Sequence, residues 1–430
     1  MINPSKQNQT IFLWNMLGSL STAVISVILL MVVTRLLTSA DSDIYAFAYS
    51  FANMMVVVGL FQVRNYQATD INEKYSFSQY LVARLMTCLL MLAITVIYLT
   101  LTKTDSYKST IVFLVCFYRS TDAFSDLYQG MFQQHERLDI AGKSLAYRNT
   151  LIFMVYTAII LYSKNLTLAL VAVCIVSLVF IMYYDIGHSK KFQKLMFSEL
   201  LNNISFQNSL SLKLLKESFP LFLNGFLIIY IYTQPKYAIE LMTTLGEVAL
   251  GSQTIFNILF MPAFVMNLLI LFFRPHITQM AIALIRGQIK EFNKIQVQLF
   301  AYLGVFSLIA LVGSGLFGIP FLSMLYGTNL TDYWVDFMLI MLGGSIGSFA
   351  TVIDNILTAM RKQQLLLIPY TGGFLISLLI TNLFVMKYHI LGAALSFLIT
   401  MLVWLGLSIM IYLFIMNRFK KGRVNATIYD

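Results

Sequence analysis

Residues 12–35 read FLWNMLGSLSTAVISVILLMVVTR, a run whose one charged residue is Arg35 at its end. A helix of about 20 apolar residues crosses a bilayer core about 30 Å thick. The run is too long for a signal-peptide core, and it leads into polar residues without a small-residue cleavage site. We therefore expect a membrane-spanning helix that is retained in the protein.

Similar runs recur along the whole chain. They predict an all-α integral membrane protein with twelve transmembrane helices in two six-helix lobes. The predicted spans are 12–35, 44–62, 81–101, 111–130, 147–163, 166–184, 218–233, 247–272, 296–318, 335–359, 365–386 and 390–416. We expect an N-terminal lobe at 1–185, an amphipathic cytoplasmic linker at 186–217, a C-terminal lobe at 218–416 and a basic cytoplasmic tail at 417–430.

The composition of the 430 residues agrees with lipid as the main solvent. Hydrophobic residues make up 59% of the chain and charged residues only 11%, whereas soluble domains carry about 25% charged residues. This deficit excludes a soluble enzyme, a disordered protein and a soluble nucleic-acid binder. The loops are too short for a catalytic domain, so we expect no enzyme activity, no cofactor and no nucleic-acid partner. The three cysteines and four histidines are dispersed, so we expect no metal site.

The net charge of +10 reflects the orientation of the chain across the membrane. With the N-terminus inside, the cytoplasmic side receives 22 of the 29 Lys and Arg residues, and Arg119 lies within a span. The outer side receives only Arg35, Lys103, Lys108, Lys164, Lys236 and Lys387. Cytoplasmic loops are enriched in Lys and Arg. We therefore expect both termini on the cytoplasmic side of the membrane.

The fourth span contains three charges on one helix face. At 100° per residue, Asp126 lies about 20° and Asp122 about 60° from Arg119. Charges at this depth are costly and face a bundle interior or a wet cavity. Two interpretations stay open, a functional one (an ion relay or a headgroup contact) and an ion pair that orders the helices. Asp354, near the inner end of the tenth span, is a weaker ion-coupling candidate within reach of Arg361.

Four cations mark corresponding helix ends in the two halves. On the outer side, Arg35 ends the first span and Lys236 follows the seventh. On the inner side, Arg64 and Arg274 follow the second and eighth spans. Such residues commonly anchor a helix end at the interface. If they face one another across the two halves, they form with Arg119 a cationic site for an anionic substrate.

Several stretches resemble the polysaccharide and teichoic-acid (Wzx-like) flippases, a branch of the superfamily that contains lipid II flippases and MATE antiporters. The resemblance is carried by Trp14–Ser19, Thr34–Leu37, Asp43–Ser50, Gly59–Gln67, Tyr128–Gln134 and Arg137–Leu145. The chain departs from this branch at Thr38 and Ser39, where the family commonly has glycine and proline. The twelve-helix layout extends the similarity over the whole chain.

The resemblance implies a flippase that moves an undecaprenyl (pyro)phosphate-linked oligosaccharide or teichoic-acid precursor from the inner to the outer leaflet by alternating access. It implies a monomer in the plasma (inner) membrane of a bacterial cell, with membrane lipids as partners and a proton or sodium as candidate coupling ion. The substrate-binding candidates are Arg35, Arg64, Arg119, Lys236 and Arg274, and the ion-coupling candidates are Asp122, Asp126 and Asp354. The alternative is an ion-coupled MATE-type antiporter of small molecules.

Overall fold

The computed structural model describes residues 4–68, 70, 74–192, 210–268 and 276–420, apart from positions 278, 281 and 285. Arg274, most of the predicted linker and the end of the tail therefore lie outside the described residues. Every regular element of the described chain is helical. The principal helices are α1 Pro4–Leu36, α2 Ser39–Leu60, α3 Val63–Gln67, α4 Phe77–Leu101, α5 Ser106–Gln134, α6 Leu138–Ser163, α7 Leu166–Phe180, α8 Leu210–Thr244, α9 Ser252–Leu268, α10 Ile289–Gly313, α11 Trp334–Ala359 and α12 Leu367–Lys420. Two further short helical segments cover Ile186–Ser189 and Ile319–Tyr326.

Nine helical segments of the described chain are long and apolar enough to cross a membrane. The predicted fold class of an all-helical, multi-pass membrane protein is thereby confirmed, whereas the count of twelve spans stays a prediction. α5 is not among the nine, because Arg119, Asp122 and Asp126 interrupt its apolar sequence. Its position inside the bundle follows from packing.

Several helices extend beyond the predicted spans. α6 begins at Leu138 rather than at residue 147, and α8 covers Leu210–Thr244 where 218–233 was predicted. Hydropathy marks only the apolar part of a helix, and the polar turns at its ends remain helical. Lys236 therefore lies within α8, and the expectation that it follows the end of the seventh helix is wrong.

α12 is a helical hairpin. Its backbone leaves the helical conformation at His389, where φ is 54° and ψ is −125°. The two legs run antiparallel, since Gly372 lies against Leu407 and Gly373 against Thr400. Next to the bend, a Cβ on Gly392 would lie 1.9 Å from the carbonyl oxygen of Phe384. Only glycine allows the legs to approach so closely there.

The chain divides into two compact units, Met1–Ile229 and Tyr230–Asp430, with the boundary inside α8. In the first unit α5 packs against α2, α3, α4, α6 and α7. In the second, α11 packs against α9, α10 and α12. Each unit is thus organised around one helix, and these two helices contain the fourth and tenth predicted spans.

The beginning of α8 belongs to the first unit and contacts the rest of it through polar and aromatic side chains. Glu217 accepts hydrogen bonds from Lys74 Nζ at 2.9 Å and from the Tyr66 hydroxyl at 2.6 Å. The bond to Glu217 raises the pKa of the Lys74 ammonium. Phe222 stacks on Phe61 with 4.2 Å between ring centroids. Phe61 has a left-handed backbone with φ 43°, so this packing supports the sharp turn between α2 and α3.

α1 crosses α6 at two glycines. A Cβ on Gly142 would lie 2.1 Å from the carbonyl oxygen of Trp14, and one on Gly18 would lie 2.7 Å from the carbonyl oxygen of Gly142. Backbone atoms cannot move away as a flexible side chain can. Small residues at such crossings let helix backbones meet in a membrane.

We therefore expect Gly142→Ala to destabilise the protein by about 1–3 kcal/mol, the cost of overpacking a close contact. Gly304→Ala is the matched control, because nothing lies within 4 Å of a Cβ there and alanine favours a helix by about 0.5–1 kcal/mol over glycine. Thermal unfolding in detergent measures both. Equal melting temperatures for the two variants would contradict the crossing.

Candidate functional site

The Asp126 carboxylate bridges two arginines from different helices. Its Oδ1 accepts from Arg64 Nη1 at 2.9 Å and its Oδ2 from Arg84 Nη2 at 3.1 Å. Arg84 is fully buried and also donates from Nη1 to the carbonyl oxygen of Gly59 at 2.7 Å. One α5 carboxylate therefore connects α3, α4 and the end of α2.

Asp122, one turn earlier on α5, makes a second bridge. It accepts a hydrogen bond from Arg119 on its own helix and, at 2.6 Å, from Arg148 Nη2 on α6. The Arg119 guanidinium also lies over the ring of Tyr49 on α2. Of the two partners considered for Arg119 from sequence, Asp122 is the one that it contacts, whereas Asp126 is taken by Arg64 and Arg84.

Sequence reasoning missed Arg84 and Arg148 as members of this network. The charge distribution expected from the sequence places both on the cytoplasmic side. The available signal was their position, because they fall inside the predicted spans 81–101 and 147–163. The side chain of Arg84 is 0% exposed and that of Arg148 is 2% exposed, so neither is an interfacial anchor.

Burial of these arginines is acceptable only because each faces a carboxylate. Removing one partner from a buried ion pair typically costs 3–5 kcal/mol, because the other charge is left uncompensated. The four arginines Arg64, Arg84, Arg119 and Arg148 share the two carboxylates Asp122 and Asp126. This cluster thus carries more positive than negative charge, and Arg64 is its most accessible cation, with 27% of its side chain exposed.

Lys236 has a different environment in the second unit. Its ammonium lies 4.6 Å from the centroid of the Phe260 ring on α9. Within the part of the chain that the structure describes, Lys236 takes part in none of the ion pairs. This lysine lies inside a membrane-spanning helix against an aromatic face and forms no ion pair with a carboxylate of the described chain, so an anion would supply the compensating charge that it lacks.

Asp354 on α11 is a buried carboxylate held by neutral donors from the second leg of α12. It accepts from Trp404 Nε1 at 3.1 Å and from the Ser408 hydroxyl at 2.9 Å. The local pairing with Arg361 considered from sequence is thus replaced by contacts to another helix. Trp404 and Ser408 were not singled out from sequence, because nothing in a single sequence connects residues 50 positions apart.

The remaining candidates are more scattered. Arg35 lies in the last turn of α1 and is exposed, and Arg274 lies outside the described residues. The structure therefore brings together Arg64 with Asp126 and Arg119 with Asp122, all in the first unit. Among the described residues, no group of three or more His, Cys, Asp and Glu side chains is arranged to hold a metal ion.

Solved structures with the same architecture are transporters. A multidrug-resistance MATE family transporter of the MOP superfamily in an inward-facing conformation is 12% identical, with a TM-score of 0.68 over 94% of this chain and 96% of that chain. The lipid II flippase MurJ is also 12% identical, with a TM-score of 0.68 over 93% and 87% of the two chains. The chain has the fold of these transporters.

The Vibrio cholerae MATE transporter VcmN has the same fold at 15% identity, with a TM-score of 0.62 over 99% of each chain. The sequence matches no family model and no curated protein at significant similarity. At identities this low the similarity establishes the fold alone. Substrate and coupling must be argued from the residues of this chain.

The Asp126 bridge leads to a stability prediction. Arg84→Met should lower the free energy of unfolding by about 3–5 kcal/mol, since Asp126 loses its fully buried partner. The control is Arg137→Gln, which removes the more exposed pair between Arg137 and Asp139 and should cost at most about 1 kcal/mol. Unfolding of the purified variants in detergent gives both values. A double variant, Arg84→Met with Asp126→Leu, should recover part of the lost stability. Equal free energies of unfolding for Arg84→Met and Arg137→Gln would contradict the assigned role of the Asp126 bridge.

Proposed function

We propose that the protein is a flippase that moves an undecaprenyl phosphate- or pyrophosphate-linked oligosaccharide, or a teichoic-acid precursor, from the inner to the outer leaflet. In this proposal it sits in a bacterial plasma membrane with both termini in the cytoplasm, and it works by alternating access. The observation that carries the proposal is Lys236, a cation inside a spanning helix that takes part in none of the ion pairs of the described chain.

The chemistry of the substrate matches such a lysine. A phosphate or pyrophosphate group that leaves the aqueous interface loses hydration, and this loss must be offset by charge-assisted hydrogen bonds. Lysine offers three N–H donors and a compact charge. The Phe260 ring attracts the ammonium without neutralising it, so Lys236 can exchange its contacts for a phosphate oxygen.

The first unit offers further cations. Arg64 is partly exposed and belongs to a cluster with more arginines than carboxylates. Arg119 is engaged with Asp122, so a contact with substrate would require a rearrangement of that pair. Arg35 and Arg274 remain candidates at the helix ends predicted from sequence. A surplus of cations favours an anionic substrate over a cationic drug.

The membrane potential supplies a driving force for export. With the inside negative, outward movement of two negative charges is favoured by about 4–5 kcal/mol per 100 mV. The chain contains no Gly-x-x-x-x-Gly-Lys-Ser/Thr sequence for binding nucleotide phosphates. The proposed transport is therefore driven by the potential, by ion coupling or by both. MurJ, whose fold this chain shares, is a lipid II flippase, which supports a lipid-linked substrate.

The second candidate function is an ion-coupled MATE-type antiporter of small molecules. It is supported by the fold shared with MATE transporters and by Asp354, a buried carboxylate that accepts hydrogen bonds from the neutral donors Trp404 and Ser408. Such a group can take up a proton or a sodium ion more readily than Asp122 and Asp126, which are held by arginines. The two candidates differ in the cargo that each predicts.

Deletion of the protein should leave lipid-linked oligosaccharide on the inner leaflet, where membrane-impermeant periodate added to intact spheroplasts does not oxidise it. Lys236→Gln, supplied in its place, should reduce export about tenfold or more, the effect of losing one charge-assisted hydrogen bond worth about 1.5–3 kcal/mol. Lys236→Arg should retain part of the activity, and the exposed Lys290→Gln is the control. Periodate access to the lipid-linked sugar reports export.

Comparable expression of all variants must be verified by immunoblotting of the membrane fraction. Normal surface glycan in the deletion strain, together with hypersensitivity to toxic cations, would contradict the flippase function and support the antiporter function. Normal export by Lys236→Gln would remove this lysine from the substrate path.

A further inference from the structure

Asp185 is a buried carboxylate without a role in the proposed transport mechanism. Its side chain is completely inaccessible to solvent. It accepts hydrogen bonds from the Ser125 hydroxyl on α5 at 2.7 Å and from the Ser144 hydroxyl on α6 at 2.6 Å. Within the described part of the chain it forms no ion pair. Three helices therefore converge on a carboxylate held by neutral donors alone.

The backbone at Asp185 is also unusual. Residues Ile181–Asp185 form a π-helical turn that continues α7. Such turns are rare and frequently occur at functional sites, because they are less favourable than a regular α-helix. Here the turn ends on the residue whose side chain reaches both Ser125 and Ser144.

A chain of hydrogen bonds leads from Asp185 to the arginine cluster. Ser125 donates to Asp185 and accepts from Gln129 Nε2 at 3.3 Å. The Gln129 Oε1 atom accepts from Arg64 Nη1 at 3.0 Å, and the same nitrogen bonds Asp126 at 2.9 Å. In such a chain, the donor and acceptor roles of one group determine those of the next. A change in the acceptor to which Ser125 donates therefore alters the hydrogen bond between Gln129 and Arg64, the most exposed cation of the cluster.

A second connection runs through Arg148. This arginine interacts electrostatically with Asp185 while its Nη2 bonds Asp122. Its Nε and Nη1 atoms are buried without a hydrogen-bond partner. The other titratable groups around Asp185 are Tyr128 on α5 and, on its own helix, Tyr184 and His188. Arg148 thus supplies a compensating positive charge for an ionised Asp185, although it does not bond it directly.

We propose that Asp185 is a proton-binding site, and that its protonation is transmitted to Arg64 through Ser125 and Gln129 and to Asp122 through Arg148. An ionised carboxylate accepts both hydroxyl hydrogens. A protonated carboxyl must itself donate. When it donates to Ser125, the Ser125 hydroxyl hydrogen turns from Asp185 toward Gln129 and competes with the Nε2–H that bonds Ser125, so the orientation of Gln129 against Arg64 changes. The attraction between Asp185 and Arg148 is lost at the same time, so Arg148 bonds Asp122 more strongly.

The coupling role rests on the proposed transport function, since it makes the proton the ion that drives or gates substrate movement. Proton binding itself does not depend on substrate. It can be measured on the purified protein without any cargo, so failure of the one proposal is distinguishable from failure of the other.

The test is infrared difference spectroscopy of the purified full-length protein in lipid nanodiscs, titrated between about pH 5 and 9. The carbonyl stretch of a protonated carboxylic acid should grow as the pH falls. Asp185→Asn should remove one such band, whereas Asp354→Asn, the matched change at the other buried carboxylate, should leave that band in place. A band that is constant over the whole range, or one unaffected by Asp185→Asn, overturns the proposal.

A second readout does not require Asp185→Asn to fold. Ser144→Ala removes one donor to the ionised carboxylate and should move the titration to higher pH. The indole of Trp14 packs edge-on against Tyr147, which packs against Tyr184 beside Asp185. In a variant that keeps Trp14 alone (Trp334→Phe, Trp404→Phe), the fluorescence should follow the same titration. An unshifted midpoint in Ser144→Ala, by both methods, overturns the assignment.

Discussion

Charge buried in a membrane protein must be compensated, and this constraint organises the first unit. α5 carries Asp122 and Asp126 one turn apart on an inward face, and each draws in two arginines. The arginines come from α3, α4, α5 itself and α6, so the ion pairs specify which helices surround α5. A hydrophobic helix could slide or rotate among lipid-like neighbours at little cost, whereas a helix with two bridged carboxylates cannot.

The buried charges of the second unit have different partners from those of the first. Its central helix α11 contributes Asp354, which accepts hydrogen bonds from an indole and a hydroxyl, and α8 contributes Lys236 over an aromatic ring. Neither charge is neutralised by an ion pair of the described chain. Groups of this kind can still bind an opposite charge, a proton or a substrate, because such a contact would stabilise them in their buried environment. The two units thus differ in electrostatic character despite the similar central position of α5 and α11.

The fold class was predictable from the sequence because the hydrophobic requirement of a bilayer acts on each segment separately. Runs such as 12–35 can be recognised without knowledge of any other part of the chain. Helix ends were less predictable, as α6 and α8 show, because polar helical turns beyond the apolar core carry no hydropathy signal. The hairpin at His389 likewise depends on how closely Gly392 approaches Phe384.

The sequence by itself determined that the chain is an all-helical membrane protein and that Arg119, Asp122 and Asp126 share one face of a buried helix. Helical periodicity is local, so these relations can be read from spacing. Only the tertiary structure decided which arginines the carboxylates bind, that Asp185 is enclosed by two serines, and that Lys236 meets an aromatic ring. Apart from Arg119 with Asp122, these contacts join residues 24 or more positions apart. The energy of a buried charge there depends on neighbours that no local pattern records.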